Sequence, residues 1–311
     1  MDDVAVVRPR AAAPARSPGR LRADDAVAGW TMLAPAGLAY CAVILVPTIL
    51  VLLLAFTDYE FGATSFRWIG LANFADMLDD RTFAASIRNT VLYTIFVAPL
   101  SIVNALLIAV HIEAGARGRA TFRAIFFLPV VSLTVAMSTA WQYLLHPTIG
   151  PVNAILRSLG MGTPNWLGSS DWVLVSLGMI GVWENVGFNL VLFLAGLTAI
   201  PRDLYAASEI DGARSAWSKF WLVTFPMLGP TLLLVTVITM TRVIRVFDTV
   251  RTLTQGGPNM ASEVLLHTIY QEGFHYFRFG YSAAVTLVFL AIVLVLILVQ
   301  TRFIDRRVHY G

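Results

Sequence analysis

Six polar side chains stand where the surrounding sequence is apolar, and they are the residues best placed to do chemistry. Glu184, Asn185 and Asn189 interrupt one apolar run, and Arg242, Arg245 and Asp248 close another. A charge at bilayer depth costs roughly 2.5–3.5 kcal/mol on insertion scales, so such a group normally faces protein or water. Glu184 lies about 18 Å down a helix counted from Trp172. Asn185 and Asn189 are four apart and share a helix face, and Arg242 and Arg245 are three apart on another. No nucleophile–base pair accompanies them. The chemistry they offer is hydrogen bonding and charge pairing to a polar solute. Two readings fit Glu184, Asn185 and Asn189: they bond to polar groups of a neighbouring helix, or they line a translocation path. Arg242, Arg245 and Asp248 also admit two: an Arg245–Asp248 interface pair, or a basic collar favouring a hydroxyl-rich or anionic solute. Trp141, Gln142 and Trp183 could stack on or hydrogen-bond a sugar, while Trp141 also suits a membrane interface.

Helices long enough to cross a membrane must carry these residues. The chain has 311 residues, 57% hydrophobic and 13% charged, against about 25% charged in an ordinary soluble domain. Mean hydropathy is +0.72. The composition is that of an all-α integral membrane protein. The net charge of +3 reads as arginines flanking spans rather than as a nucleic-acid surface. Apolar runs cover 30–56, 90–110, 124–145, 172–197, 227–247 and 281–303, and each reaches the roughly 20 residues that span the hydrocarbon core. Six spans put both termini on one side. Lys and Arg number 14 on one set of flanks and 8 on the other, which predicts both termini in the cytoplasm. Residues 1–27, with Arg8, Arg10, Arg16, Arg20 and Arg22, read as a disordered cytoplasmic tail, and 28–311 as one transmembrane domain.

The remaining chemistry is sparse. Cys41 is alone, which excludes internal disulfides and cysteine metal clusters. There is no phosphate-binding glycine loop and no HExxH spacing. The five histidines, His267 and His275 among them, read as solvated loop residues, and no metal or cofactor is expected on this chain. The outer loops carry turn formers, with Gln255-Gly256-Gly257-Pro258-Asn259 the densest and a helical segment bearing Val264, Leu265, Ile269 and Phe274 after it.

One polar stretch, residues 200–230, is patterned rather than random. Asp203 is placed to cap a short helix, Gly212 interrupts it, an amphipathic segment follows, and Pro226 and Pro230 mark the return to apolar sequence. A charged helix–turn–helix on the cytoplasmic side is a surface for a soluble partner. Trp217, Phe220 and Trp221 form an aromatic patch, for burial on the chain's own spans or for partner contact.

Leu204-Tyr205-Ala206-Ala207-Ser208-Glu209-Ile210-Asp211-Gly212-Ala213, with Phe225-Pro226 beyond, resembles the EAA loop of binding-protein-dependent ABC importer permeases. Ala195-Gly196-Leu197-Thr198-Ala199-Ile200-Pro201 precedes it, and Leu253-Thr254-Gln255-Gly256-Gly257-Pro258 follows the fifth span, as in the carbohydrate branch of maltose and glycerol-3-phosphate types. Gly70-Leu71-Ala72-Asn73-Phe74, Ile269-Tyr270, Gly273-Phe274, Gly280 and Ser282-Ala283-Ala284 extend the match over about 28–308.

The resemblance implies a type I importer permease fold in a bacterial inner membrane. Its implied partners are a second homologous permease, two ATPase subunits holding ATP and Mg, an extracytoplasmic solute-binding protein and membrane lipid, with no nucleic acid. The chain itself would be non-catalytic and would move a sugar or sugar-like polyol phosphate by alternating access. Asp203, Tyr205, Ala206, Ala207, Glu209, Asp211, Gly212 and Pro226 would form the ATPase-coupling loop. The family's glutamate falls on Ala206 here. Glu209, three residues on, lies near the same helix face; the docking role carries over, and the glutamate's own contact does not. The competing class is an ATP-independent secondary carrier or channel, which calls for internal repeats and facing carboxylates at mid-depth. Only Glu184 meets the second requirement.

Overall fold

The computed structural model describes residues 23–115 and 119–305. The expectations placed on 1–22, the five tail arginines among them, and on 306–311 lie outside these residues. The chain divides into two compact units, 1–50 and 51–311. α1 (Ala23–Tyr40) passes through a π-turn at Cys41–Leu45 into α2 (Val46–Leu54), which runs past the boundary at residue 50. Helix therefore starts within the stretch 1–27 expected to be disordered. Cys41 is exposed.

The second unit holds α3 (Ala72–Asp79), α4 (Arg81–Glu113), α5 (Arg119–Val131), α6 (Thr134–Leu144), α7 (Pro151–Ser158) and α8 (Val173–Thr198). It continues with α9 (Arg202–Ile210), α10 (Ala216–Lys219), α11 (Phe225–Met227), α12 (Gly229–Val243), α13 (Asp248–Leu253), α14 (Leu265–Tyr270) and α15 (Phe279–Asp305). Among the described residues the only β contact is an isolated bridge between Thr57 and Trp68.

Five stretches are long and apolar enough to cross a membrane: Gly29–Leu54, Arg81–Glu113, Val173–Thr198, Gly229–Leu253 and Phe279–Arg302. The expected third span, 124–145, is instead two helices, Ala124–Val131 and Thr134–Leu144, bent by 114°. Its composition is continuous, so the apolar pattern alone reads straight through. Pro129 supplies no backbone N–H, Ser132 Oγ donates back to Leu128 O at 2.7 Å, and Leu133 is extended at φ −70°, ψ 126°. The stretch counts as a sixth span only if the bent pair is one.

α8 is the hub. It packs most extensively on α4, then on α5 and α12. With no hydrophobic force between helices in lipid, close backbone approach through small residues decides association. Gly181 lies against Tyr93 of α4, Gly187 against the Phe126 carbonyl of α5 and Gly196 against Thr231 of α12; an added Cβ would collide at each. Two buried clusters mark the ends of the bundle. Ile112, Leu197, Ile200, Val223 and Leu228 gather at the end that carries residues 200–230. Tyr93, Val173, Val243, Val250 and Val264 gather at the other.

Candidate functional site

The polar residues of α8 and α12 converge. α12 stops at Val243, the chain turns through residues 244–247, and α13 restarts at Asp248. That break brings Arg242, Arg245 and Asp248 round to face α8. With Glu184, Asn185, Tyr93 and Thr134 they line a cavity of about 220 Å³ whose surface is mainly polar. Thr134 opens α6, so the bend in the third apolar stretch is what delivers it. A larger groove, about 440 Å³ between α5 and α8, is lined by Phe127, Leu190, Val191 and Leu194 and offers a polar solute almost nothing.

Five of the six residues singled out from sequence meet here. Asn189 does not. It is fully buried, accepts from Thr239 Oγ of α12 at 2.8 Å, and donates to Ser101 Oγ of α4 at 3.5 Å. It joins three helices, as the neighbouring-helix reading expected. Asn185 Nδ2 donates to Gly181 O of its own helix at 2.8 Å and still lines the cavity. The expected Arg245–Asp248 pair is absent: Arg245 Nε donates to Thr241 O at 3.0 Å, because the turn after α12 sends Asp248 onto a new helix. None of the four ion pairs among the described residues involves Glu184, Arg242, Arg245 or Asp248. The Arg242 guanidinium sits over the Phe188 ring at 4.3 Å, a contact worth about 0.5–2 kcal/mol. Trp141 and Trp183 pack edge to face on each other at 5.5 Å.

The second polar region is the 200–230 loop, at the opposite end of α8 and α12. α9 is capped at Pro201 rather than by Asp203, whose side chain makes no cap bond; Asp203 sits in the first turn, where a negative charge complements the helix dipole. At the other end, Ala213 N–H reaches Ser208 O at 2.8 Å and Gly212 N–H reaches Glu209 O at 3.2 Å. This is a Schellman turn, which needs a left-handed residue after the cap. Gly212 supplies it at φ +95°, beside Asp211 at the cap.

Ser215 Oγ then accepts from Ser218 N–H at 3.0 Å. Helix resumes through a π-turn at Phe220–Thr224 into α11, with Pro226 in its first turn. Lys219 Nζ pairs with Glu209 Oε1 at 2.5 Å, tying the two arms together. Tyr205 OH meets Thr224 Oγ at 3.0 Å and helps seat the loop on the bundle. Ala206 and Ala207 remain exposed, a low surface onto which another backbone can come close. Trp217, Phe220, Trp221 and Phe225 pack against one another, Trp217 stacked on Phe220 and the other pairs edge to face or tilted. Trp217 is 70% exposed, so the patch is not buried on the chain's own spans.

One functional-looking group was misread from sequence. His267, expected to be solvated, is fully buried. Its Nδ1 lies 2.8 Å from Glu263 Oε1, which also accepts from Thr268 Oγ at 2.8 Å. Asn89 of α4 donates to the Glu263 and Met260 carbonyls at 2.9 Å each. Val264 and Leu265 bury into the bundle and carry His267 in with them. The four-residue spacing of Glu263 and His267 was the available signal. Nearby, burial pushes the Glu272 carboxyl above its ordinary value, and Arg278, which pairs with it, pulls the other way.

Known proteins resemble the chain in both sequence and fold. A family model described as "Binding-protein-dependent transport system inner membrane component" matches residues 105–310. The sn-glycerol-3-phosphate transport system permease protein UgpA of Agrobacterium fabrum is 34% identical over 255 residues, 81% of this chain and 85% of that protein. The osmoprotective compounds uptake permease protein GgtC of Synechocystis is 32% identical over 274 residues, 86% of this chain and 95% of its own length. A chain in the crystal structure of a bacterial ABC transporter that imports the acidic polysaccharide alginate superposes with a TM-score of 0.78 at 23% identity, covering 92% of this chain and 98% of that one. A chain of a bacterial alginate ABC transporter solved in complex with alginate pentasaccharide-bound periplasmic protein superposes equally well, with a TM-score of 0.78 at 22% identity. With the apolar spans, the break at Val243 and the loop after α8 in place, these matches show that the chain belongs to the binding-protein-dependent transport system inner membrane components, as an ABC importer permease of the sugar and glycerol-3-phosphate type.

Proposed function

We propose that this chain is the non-catalytic membrane subunit of an ATP-driven importer. It moves a sugar or a polyol phosphate inward by alternating access. The polar cavity carries this reading: four charged side chains at the junction of α8, α12 and α13 have no ion-pair partner among the described residues. Carboxylates accept from hydroxyls and guanidiniums donate to hydroxyl or phosphate oxygens, so either solute finds partners there. Relatives named for sn-glycerol-3-phosphate and for osmoprotective compounds support the same range.

The coupling element is the 200–230 loop. It faces the cytoplasm, and α9 and the turn at Gly212 sit on an ATPase subunit. ATP and Mg stay on that subunit, and its closure is passed through α9 to α8 and α12. A second permease closes the other half of the path, and an extracytoplasmic binding protein delivers the solute; the complex of the alginate transporter with its periplasmic protein is the precedent. The deciding experiment reconstitutes the chain with its partner permease, ATPases and binding protein in liposomes. ATP hydrolysis is expected to rise with loaded binding protein. Solute flux with no hydrolysis would point to an ATP-independent carrier.

A further inference from the structure

Two cavities meet at Thr198, at the end of α8 nearest the 200–230 loop. One is the apolar groove between α5 and α8, about 440 Å³, with Phe127, Leu190, Val191 and Leu194 along it and Thr198 at its end. The other is a chamber of about 610 Å³ that Thr198 also lines. Its walls are apolar at Val110, Leu197 and Phe220, and its rim carries Glu113, Arg202 and Lys219. The three rim residues sit at helix ends: Glu113 closes α4, Arg202 opens α9 and Lys219 closes α10. Taken together, the two spaces have a long apolar part and a charged end.

The groove has the dimensions of one acyl chain. From Gly187 to Thr198 it follows α8 for eleven residues, or about 16 Å. That is one leaflet's share of a hydrocarbon core about 30 Å thick. Spread over this length, the volume of about 440 Å³ leaves a cross-section of about 27 Å², against about 80–110 Å² for a helix 10–12 Å across. A partner's helix does not fit inside it, and a single polymethylene chain does. Phe127 and Val191 are exposed, so such a chain enters from the side.

The chamber supplies the partners of a headgroup. Arg202 is exposed and offers a guanidinium fork; Lys219 pairs with Glu209 and has further ammonium hydrogens to donate. These are the two side chains that best hold phosphate oxygens. Glu113 sets one carboxylate on the same rim, so the lining complements a phosphate with a cation beside it. Inorganic phosphate and nucleotides have the wrong charge balance, and they would leave the groove empty. We infer that groove and chamber together hold one molecule of phosphatidylethanolamine from the leaflet on the side of the 200–230 loop. Its phosphate lies between Arg202 and Lys219, its ammonium lies toward Glu113, and one acyl chain follows α8 to Gly187. Held there, the headgroup ties both arms of the loop to the ends of α4 and α8.

Native mass spectrometry of the complex that this chain forms with its partner subunits tests the site, after release from nanodiscs of phosphatidylethanolamine and phosphatidylglycerol in equal amounts. A phosphatidylethanolamine adduct is expected to stay with the complex. Ala195→Trp fills the groove from an exposed position and should cut retention about tenfold by excluding the acyl chain. Arg202→Gln removes one cation from the rim and should cut it about fivefold. Leu234→Trp, at an exposed position of α12 outside both cavities, should leave it unchanged. Should Ala195→Trp not assemble, Arg202→Gln decides alone, since its side chain lies on the surface. Undiminished retention in Arg202→Gln, an equal loss in Leu234→Trp, or preferential retention of phosphatidylglycerol overturns the site. So does a complex that retains no phospholipid, which would mean that the partner permease covers the groove.

Discussion

The 200–230 loop and the Glu184–Arg242 cavity are both polar interruptions of an apolar chain, but they are built by opposite means. The loop is made by short-range rules: a Schellman turn at Gly212, a serine cap at Ser215, and a Glu209–Lys219 pair across the two arms. Every one of those contacts joins residues no more than ten apart along the loop. The cavity has no such local logic. Tyr93, Thr134, Glu184 and Arg242 reach it from four helices, and it exists only because α8 holds α4, α5 and α12 at glycine distance. The difference teaches that the loop should fail through its backbone, and the cavity through the packing that surrounds it.

Gly212→Asp should show the first failure most sharply. A Cβ there meets no neighbouring atom, so the penalty is the left-handed backbone alone, about 1–2 kcal/mol. The fold should survive, while solute-stimulated ATP hydrolysis in reconstituted importer falls about tenfold, since 1.4 kcal/mol is a factor of ten. Intact stimulation would remove the loop from coupling.

The mirror experiment is Gly187→Ala. Its methyl group would press on the Phe126 backbone carbonyl, which cannot swing aside as a side chain would, and overpacking of this kind costs about 1–3 kcal/mol. Thermal unfolding in nanodiscs should shift down. An unshifted midpoint would mean that α5 is free to move off α8.

Within the cavity, Arg242→Ala separates solute classes. It removes one of two guanidiniums facing two carboxylates, so uptake of an anionic solute should fall more than that of a neutral sugar, by about tenfold for a loss near 1.4 kcal/mol. Equal losses would argue against any basic collar. The smallest effect sharpens the loop's own chemistry. Glu209→Gln and Lys219→Met each break a half-exposed pair worth about 0.2–1 kcal/mol. If Glu209 touches the ATPase in place of the glutamate missing at Ala206, only Glu209→Gln lowers coupled hydrolysis; matched losses would make the pair a brace between the arms.

Much of this was readable in advance, for identifiable reasons. Span positions follow from apolar length, and the break near Gly212 follows from the one residue type that takes φ +95° freely. Glu184 and Arg242 stood out because charge in an apolar run is expensive. Three features were not readable. The 114° bend at residues 132–133 interrupts a stretch whose composition never changes. His267 is buried by the apolar neighbours it travels with, and its own polarity suggested the reverse. Asp203 gave up the cap to Pro201, since capping depends on where the chain enters α9 rather than on residue type alone.

By itself, then, the sequence determined the apolar helices, the patterned loop and which polar groups had to be sheltered, because each rests on the chemistry of one residue and its near neighbours. Only the tertiary structure decided which of those groups share a cavity. Asn189 and Glu184 are five residues apart on one helix; the first is spent holding α4 and α12 together and the second faces the polar cavity. That choice is made by which helix lies against which side of α8, and the glycines that allow the close approach do not by themselves say what approaches.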